Sequence, residues 1–494
     1  MNQSGLEWAH SVFSTTCVEP TWSREPSIEL IKAVLVHHIE GSTRGSLDVD
    51  FLAQGALNKV YKVVETKTQK TYAMRVALPV DPHHKTSAEV ATMEFLATKT
   101  SLPVPNIYAY CTTSNNPLGF EWVLMSFIPG ISLQSCLHLL SLEEKKVIVK
   151  QIVRYQAELF AHQFMGIGSL RSTLNSFEVS RISDLSFWWY RRVHDRMSKG
   201  PFNTTKDWKT AELRLMLKEA QEAHETERLE RSAAWNPAML PQLKHSFNDE
   251  AQLARLHAKS SFSLVFANLS RIEANFDKVF EAFPPQSTNS DGHEITILAH
   301  QDLGPHNILI DPSSNKITGI IDWENVATLP LQVACELPVL LSSNCAPRHD
   351  APDPDAYAEY NAEVDDSYHG AVYGKSDKFL RDLIEHHKTV LTAVFLNEME
   401  RVCPEWITYY EAGIRTRDFV QVMHTAEDVW SAGTIRDWLD FFEAGLEKTL
   451  DWVRWGMKLE LESEDHYDTD TEDDEEDIDE DEEGNQVQHE ELYT

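Results

Sequence analysis

The chain has 494 residues, 42% of them hydrophobic, which is enough for a substantial core in more than one lobe. Its 78 acidic against 44 basic side chains give a formal charge of -34, and the excess is uneven: Leu459 to Thr494 hold nineteen Asp or Glu and no Lys or Arg. Neutralising nucleic-acid phosphates or sitting on an anionic membrane needs clustered cations, so no nucleic acid and no membrane is expected among the partners.

Residues 1–45 read as an N-terminal extension whose role no motif names. Its first 25 residues carry Glu7, Glu19 and Glu25 against Arg24 alone, unlike a secretory signal or an Arg-rich transit peptide. Apolar runs are too short to cross a bilayer, and the six cysteines are scattered without a C-x-x-C pair. A soluble, cytoplasmic protein with reduced thiols is the expectation.

Between Phe51 and Phe127 the pattern predicts a strand pair, a helix and a second strand pair. Val60 to Val64 and Tyr72 to Leu78 flank the polar turn Thr66-Lys67-Thr68-Gln69 and form a hairpin. Thr86 to Lys99 places Val90, Met93, Leu96 and Ala97 on a helical stripe that Pro103 and Pro105 end. Two apolar runs follow, Ile107 to Cys111 and Phe120 to Phe127, before Pro129-Gly130 breaks the chain. Ser141 and Glu144 then make a capping box, and helical spacing dominates to about Phe283, including a long surface helix over Lys206 to Arg231 with Leu213, Met216 and Ala220 inward. Strands return at Ile295, and helices resume after Pro330 as far as about Trp455. The acidic tail, residues 459–494, has almost no apolar side chains and repels itself, so disorder is expected there. A solubilising extension is its first reading and recruitment of a basic protein partner its second.

Chemistry concentrates in Ile295 to Asn325. Ile308-Leu309-Ile310 and Ile317 to Ile321 flank the turn-forming Pro312-Ser313-Ser314-Asn315 and predict two antiparallel strands. A turn centred between Ser314 and Asn315 would set Asn307 directly across from Asp322. An amide oxygen and a carboxylate are hard ligands suited to magnesium held jointly with nucleotide phosphates. Asp302 lies five residues before Asn307, the D-x-x-x-x-N spacing in which the Asp takes the proton of an attacking hydroxyl and the Asn holds a metal. His300 reads as a packed residue that orients this loop.

His300-Gln301-Asp302 through Asn307, followed by Ile321-Asp322-Trp323, resembles the H-x-D-x-x-x-x-N and I-D-W signatures of the aminoglycoside phosphotransferase and choline kinase group. The likeness extends to Gln54-Gly55-Ala56-Leu57-Asn58, Ala73-Met74-Arg75-Val76, Ser87-Ala88-Glu89-Val90 and Met125 to Gly130, and wording such as LPVPNIYAY is similar to a large fungal branch of the group. It implies an α+β, two-lobed protein-kinase-like fold, with a small antiparallel-sheet N-lobe over residues 46–127 and a mainly helical C-lobe over 128–458.

The resemblance also implies roles. Gly55 and Asn58 belong to a loop over the phosphates, although Gly55 equally suits a plain turn. Arg75 is the cation that reaches those phosphates, Glu89 or the competing Glu94 its helix partner, and the backbone of Ser126, Phe127 and Ile128 the adenine-binding connector. Phe187 to Arg192 reads as core aromatics with a snorkelling Arg rim. The expected function is transfer of the ATP γ-phosphoryl group to a small-molecule hydroxyl, with Asp302 as base and Mg2+ on Asn307 and Asp322. A protein kinase fits less well because D-F-G and A-P-E segments are missing. The alternative is a catalytically silent nucleotide-binding adaptor whose tail recruits basic partners.

Overall fold

The computed structural model describes residues 4–10, 18–174, 176–234, 250–285, 287–343, 346–353, 377–428, 431–446 and 448–450. The acidic tail and the end of the last expected helix lie outside them.

Alternation of side chains builds the first lobe. Strands β1 (Leu6–His10) and β2 (Val18–Trp22) pair with each other, and helix α1 (Ile28–Leu35) follows. Strands β3 (Leu47–Gln54), β4 (Asn58–Glu65) and β5 (Lys70–Ala77) precede helix α2 (His84–Lys99), and β6 (Ile107–Cys111) and β7 (Glu121–Ser126) complete the lobe. The order in the five-stranded antiparallel sheet is β3-β4-β5-β7-β6. The two-residue period sends Tyr61, Val63, Met74 and Val76 to one face and Val60, Ala73 and Arg75 to the other. On the first face Ile31, Val34 and Leu35 of α1 pack over Leu47, Val63 and Met74. On the second, Val90, Met93 and Leu96 of α2 join a core that runs on through Ile148 and Ile152 into the large lobe. Arg75 is therefore an inward charge on an apolar strand, and its partners must come from inside the molecule.

The large lobe starts after Gly130. Ser141 and Glu144 close the expected capping box at the head of the helix Leu142–Phe160, which packs against Asp377–Val402. Helices Thr205–Ala234 and Glu250–Ala282 pair with each other, and Ala432–Glu443 packs on the second. Leu213 and Met216 are buried and Ala220 partly so, the inward face read from the sequence. Two small sheets carry the chemistry-bearing segments: Ala327–Pro330, Ile295–Ala299 and Gln163–Met165 form one, and Lys316–Ile320, Ile308–Asp311 and Ile131–Ser132 the other. No helix among the described residues is long and apolar enough to cross a membrane.

The architecture is the expected α+β, with an antiparallel-sheet first lobe and a helical second one. It differs from the sequence reading in three places. A fifth strand, Leu47–Gln54, edges the sheet. Three-residue strands at Gln163–Met165, Leu170–Ser172 and Phe177–Val179 interrupt the region read as helical; strands this short show no period. The N-terminal extension is part of the packing, since α1 covers a sheet face that would otherwise be open.

Leu35 is fully buried between α1 and the sheet. Leu35→Ala should lower the free energy of unfolding by about 2–5 kcal/mol, seen as a lower urea midpoint with the slope unchanged. An unaltered midpoint would mean that α1 is not part of the cooperative fold.

Candidate active site

Strand Ile295–Ala299 delivers the chain into a bend at His300, and a single helical turn at Pro305–Asn307 leads into strand Ile308–Asp311. His300 Nε2 donates to the Ile321 carbonyl at 3.0 Å, and its Nδ1 accepts the Asp302 amide at 3.3 Å, an arrangement that requires the neutral Nε2–H ring. Burial lowers the His300 pKa, which suits that state. The ring stands edge-on to Trp323, whose indole N–H is itself held by the Ile320 carbonyl at 2.9 Å. His300 thus joins the loop carrying Asp302 to the segment carrying Asp322.

The register of the ribbon corrects the sequence expectation. Ile308 pairs with Ile320, and Asn307 lies across from Ile321, whose amide donates to the Asn307 carbonyl at 3.0 Å; Asn307 does not face Asp322. Two local features set this. The Asp311 carboxylate accepts the Ser313 amide and the Ser313 and Ser314 hydroxyls, which moves the turn toward Asp311, and a bulge follows at Leu309/Ile310. Asp322 leaves the strand in a left-handed conformation at φ 66, and its carboxylate reaches Arg75 at 3.1 Å.

Asp302, Asn307 and Asp322 nevertheless line one cleft of about 1290 Å³ between the lobes. Asn307 Nδ2 donates to the Asp302 carbonyl at 2.8 Å and to Asp302 Oδ2 at 3.1 Å, so its amide oxygen is turned away from Asp302. His306 Nε2 is 3.0 Å from the same Asp302 oxygen. A Cβ at Gly304 would stand 2.7 Å from the His306 ring, so the glycine is what lets that ring fold back. Among the described residues no group of three or more His, Cys, Asp or Glu could hold a metal by itself.

Arg75 sits at the centre of a charge network. It bonds to Glu89 of α2, to Asp322, and to Glu324 Oε2 at 2.8 Å. Lys85, one helical turn before Glu89, lies 2.6 Å from the same Glu324 oxygen and 3.1 Å from Asn58 Oδ1, and Asn58 Nδ2 donates to Glu324 at 2.8 Å. Glu89, rather than the competing Glu94, meets Arg75. Burial would lower the Arg75 guanidinium, but Glu89, Glu324 and Asp322 outweigh that and raise it. Burial likewise favours the neutral form of Glu324, yet Lys85 and Arg75 bring its carboxyl down to about 2. Glu89 and Asp322 move the other way: burial raises both, Glu89 to about 7, and the neighbouring Glu324 adds to the rise while Arg75 and Lys85 oppose it. Lys85 and Glu324 were not singled out in the sequence. Their signals were the Lys-x-x-x-Glu spacing on α2 and the acid directly after I-D-W.

The remaining expected positions fall along the same cleft. A Cβ at Gly55 would meet no atom within 4 Å and its φ is not left-handed, so the turn itself does not require glycine; the glycine leaves open space. Asn58 is spent on Glu324 and Lys85. Ser126, Phe127 and Ile128 line the cleft where the lobes connect, and Ile128 closes on Gly319, at which a Cβ would come within 2.6 Å. In the aromatic cluster Phe187 and Trp188 are fully buried and Arg191 is exposed, as a core with a charged rim requires. Arg192 departs from that rim: it is buried and bonded to Glu219 and Glu427.

The model of the phosphotransferase enzyme family, APH, matches residues 48–370. The chain belongs to that family. A subtelomeric hrmA-associated cluster protein of Aspergillus fumigatus is 28% identical to this family member over 302 residues, 57% of this chain and 58% of the relative. The altered inheritance of mitochondria protein 9 of Lachancea thermotolerans is 23% identical over 343 residues, 60% of this chain and 52% of the relative. The chain thus spans just over half the length of these curated relatives. Among solved structures, a choline kinase from Cryptosporidium parvum aligns over 89% of this chain and 96% of its own at 13% identity and a TM-score of 0.39. A spectinomycin phosphotransferase in complex with ADP and spectinomycin aligns over 82% and 92% at 11% identity and a TM-score of 0.32. Residues ahead of the family match also reach the cleft: Glu19 and Pro20 of β2 line it.

Because Glu324 is held at about 2 against an ordinary 4.5, its contribution to stability is complete above pH 4.5 and is lost as the pH falls toward 2. Glu324→Gln should cost about 3 kcal/mol at neutral pH and flatten the acid-side decline over that window, read from urea unfolding at a series of pH values. Parallel pH profiles for the two proteins would remove Glu324 from the network.

Proposed function

We propose that this chain transfers the γ-phosphoryl group of ATP to a hydroxyl of a small molecule, with Asp302 as the base. One observation carries the reading: Asn307 holds the Asp302 carboxylate while Asp322 and Arg75 meet in the same cleft. Asp302 Oδ2 is engaged by Asn307 and His306, which leaves Oδ1 for the acceptor, and the side chain is exposed enough to be reached. The acceptor oxygen forms a bond to the γ-phosphorus as the bond from that phosphorus to the β–γ bridging oxygen breaks. ADP leaves, and the hydroxyl proton passes to Asp302.

The donor set suits magnesium. The Asn307 amide oxygen and the Asp322 carboxylate would hold it, nucleotide phosphates supplying the other oxygens, and the ion when bound would neutralise phosphate charge. Arg75, fixed by Glu89, would steady the phosphates, the segment around Gly55 would lie over them, and the backbone of Ser126 to Ile128 would meet the adenine. The family's description as phosphotransferases supports transfer of a phosphoryl group.

Asp302→Ala should reduce phosphate transfer by about 10²–10⁴-fold while the melting temperature and the affinity for MgATP stay as in the parent. Equal turnover would end the assignment of Asp302, and failure of the parent to release ADP with any hydroxyl compound would favour the silent adaptor.

A further inference from the structure

Asp302 is a base that burial does not hold. Its side chain is 60% exposed, and a carboxylate on a loop with that freedom can turn about its own torsions. What fixes it is hydrogen bonding to one oxygen: Asn307 Nδ2 at 3.1 Å and His306 Nε2 at 3.0 Å both meet Oδ2. An ionised carboxylate only accepts, so His306 Nε2 carries the hydrogen and donates it. The two holds are not equivalent. The Asn307 amide is divided, its nitrogen given to Asp302 and its oxygen wanted by the metal in the proposed scheme. The His306 imidazole has no part in that scheme, and among the described residues the Asp302 carboxylate is its hydrogen-bond partner.

The local chain brings that ring back to the base. Pro305 opens the single helical turn that carries His306, the Asn307 amide donates to the Gly304 carbonyl at 3.1 Å, and the Ser132 hydroxyl donates to the Pro305 carbonyl at 3.3 Å. Leu303 is buried, and its carbonyl accepts the Leu340 amide at 3.1 Å. None of these bonds uses the imidazole, so the loop keeps its course without it. Gly304 has a φ of -96, which any residue adopts, so the backbone does not ask for glycine. The ring does. A Cβ at Gly304 would stand 2.7 Å from the His306 Cε1 and 2.9 Å from its Nδ1, closer than non-bonded atoms approach, whereas the next neighbour, a Val339 methyl, is at an ordinary 3.5 Å.

We propose that His306 is a positioning residue of the phosphotransfer step: its N–H pins Oδ2 of Asp302 so that Oδ1 faces the acceptor hydroxyl, and Gly304 leaves the space that the ring occupies. This rests on the phosphotransfer reading with Asp302 as base. The hydroxyl proton still passes to Asp302, and His306 keeps its own. An exposed contact of this kind contributes little to stability, but a base turned out of line can cost a factor of about 10² in rate. Loss of the ring should therefore be seen in turnover and not in folding.

The test follows ADP release from MgATP by the full chain, with water, choline, ethanolamine, D-glucose and myo-inositol as acceptors, and measures the affinity for MgATP separately by calorimetry. His306→Ala should lower kcat about ten-fold or more with every acceptor the parent uses, the melting temperature and the affinity for MgATP staying as in the parent. His306→Gln, which returns an N–H donor, should recover most of that loss. Gly304→Ala, which keeps the imidazole but displaces it, should lower kcat as His306→Ala does, and in an Asp302→Ala background the loss of His306 should have no further effect. Unchanged kcat in His306→Ala or in a folded Gly304→Ala protein, no recovery in His306→Gln, a weaker affinity for MgATP in place of the fall in kcat, or a further loss in the Asp302→Ala background would each overturn the assignment. Should Gly304→Ala not fold, the His306 variants and the Asp302→Ala background decide. A parent that releases no ADP with any acceptor, or one whose turnover survives Asp302→Ala, would instead bring down the phosphotransfer reading and the positioning role with it.

Discussion

Four charged side chains almost wholly out of water, with the partly exposed Asp322 as a fifth, hold the site together between the lobes. Arg75 comes from the sheet, Lys85 and Glu89 from the helix beside it, and Asp322 and Glu324 from the ribbon of the large lobe. None of these charges could be buried alone, because desolvation of an unpaired ion costs several kcal/mol. The network therefore forms only when sheet, helix and ribbon stand in one relation, and that relation is the one in which Asp302, Asn307, Asp322 and Arg75 line one cleft. Packing supports the same alignment, since the apolar core passes from α2 into the helix Leu142–Phe160 without a break.

The network is not balanced in itself. With three acids against two cations it carries an excess of negative charge, and burial raises Glu89 and Asp322 in response. A site in that condition gains from a bound cation, whereas bare phosphate would meet repulsion on one side of Arg75. The proposed pairing of metal with nucleotide thus has an electrostatic motive in the protein's own charges.

That Asp302, Asn307 and Asp322 share one cleft was legible in the sequence because it is local: Asn307 lies five residues after Asp302, and I-D-W follows within one hairpin. The exact facing of the strands was not, since it turned on an Asp311 side chain capping the turn and on a bulge, two effects invisible to a strict period of two. The main sheet and α2 were legible through alternation and a helical stripe. Lys85 and Glu324 were not, because a lone Lys and a lone Glu are ordinary until a fold brings them to 2.6 Å. The strands between Gln163 and Val179 are too short to have a period.

The N-terminal hairpin has a consequence for how the molecule opens. Leu6 packs in one cluster with Leu57, Leu78 and Val80 of the small lobe and Trp188 of the large one, while Trp8 meets the rings of Trp189 and Tyr190. The two halves are thereby fastened at the covalent connector near Ser126 and again by a non-covalent clasp of aromatic rings drawn from ahead of the family's own boundaries. A jaw held at two places swings less than one held at a single pivot, so access to the cleft should depend on how often the clasp lets go.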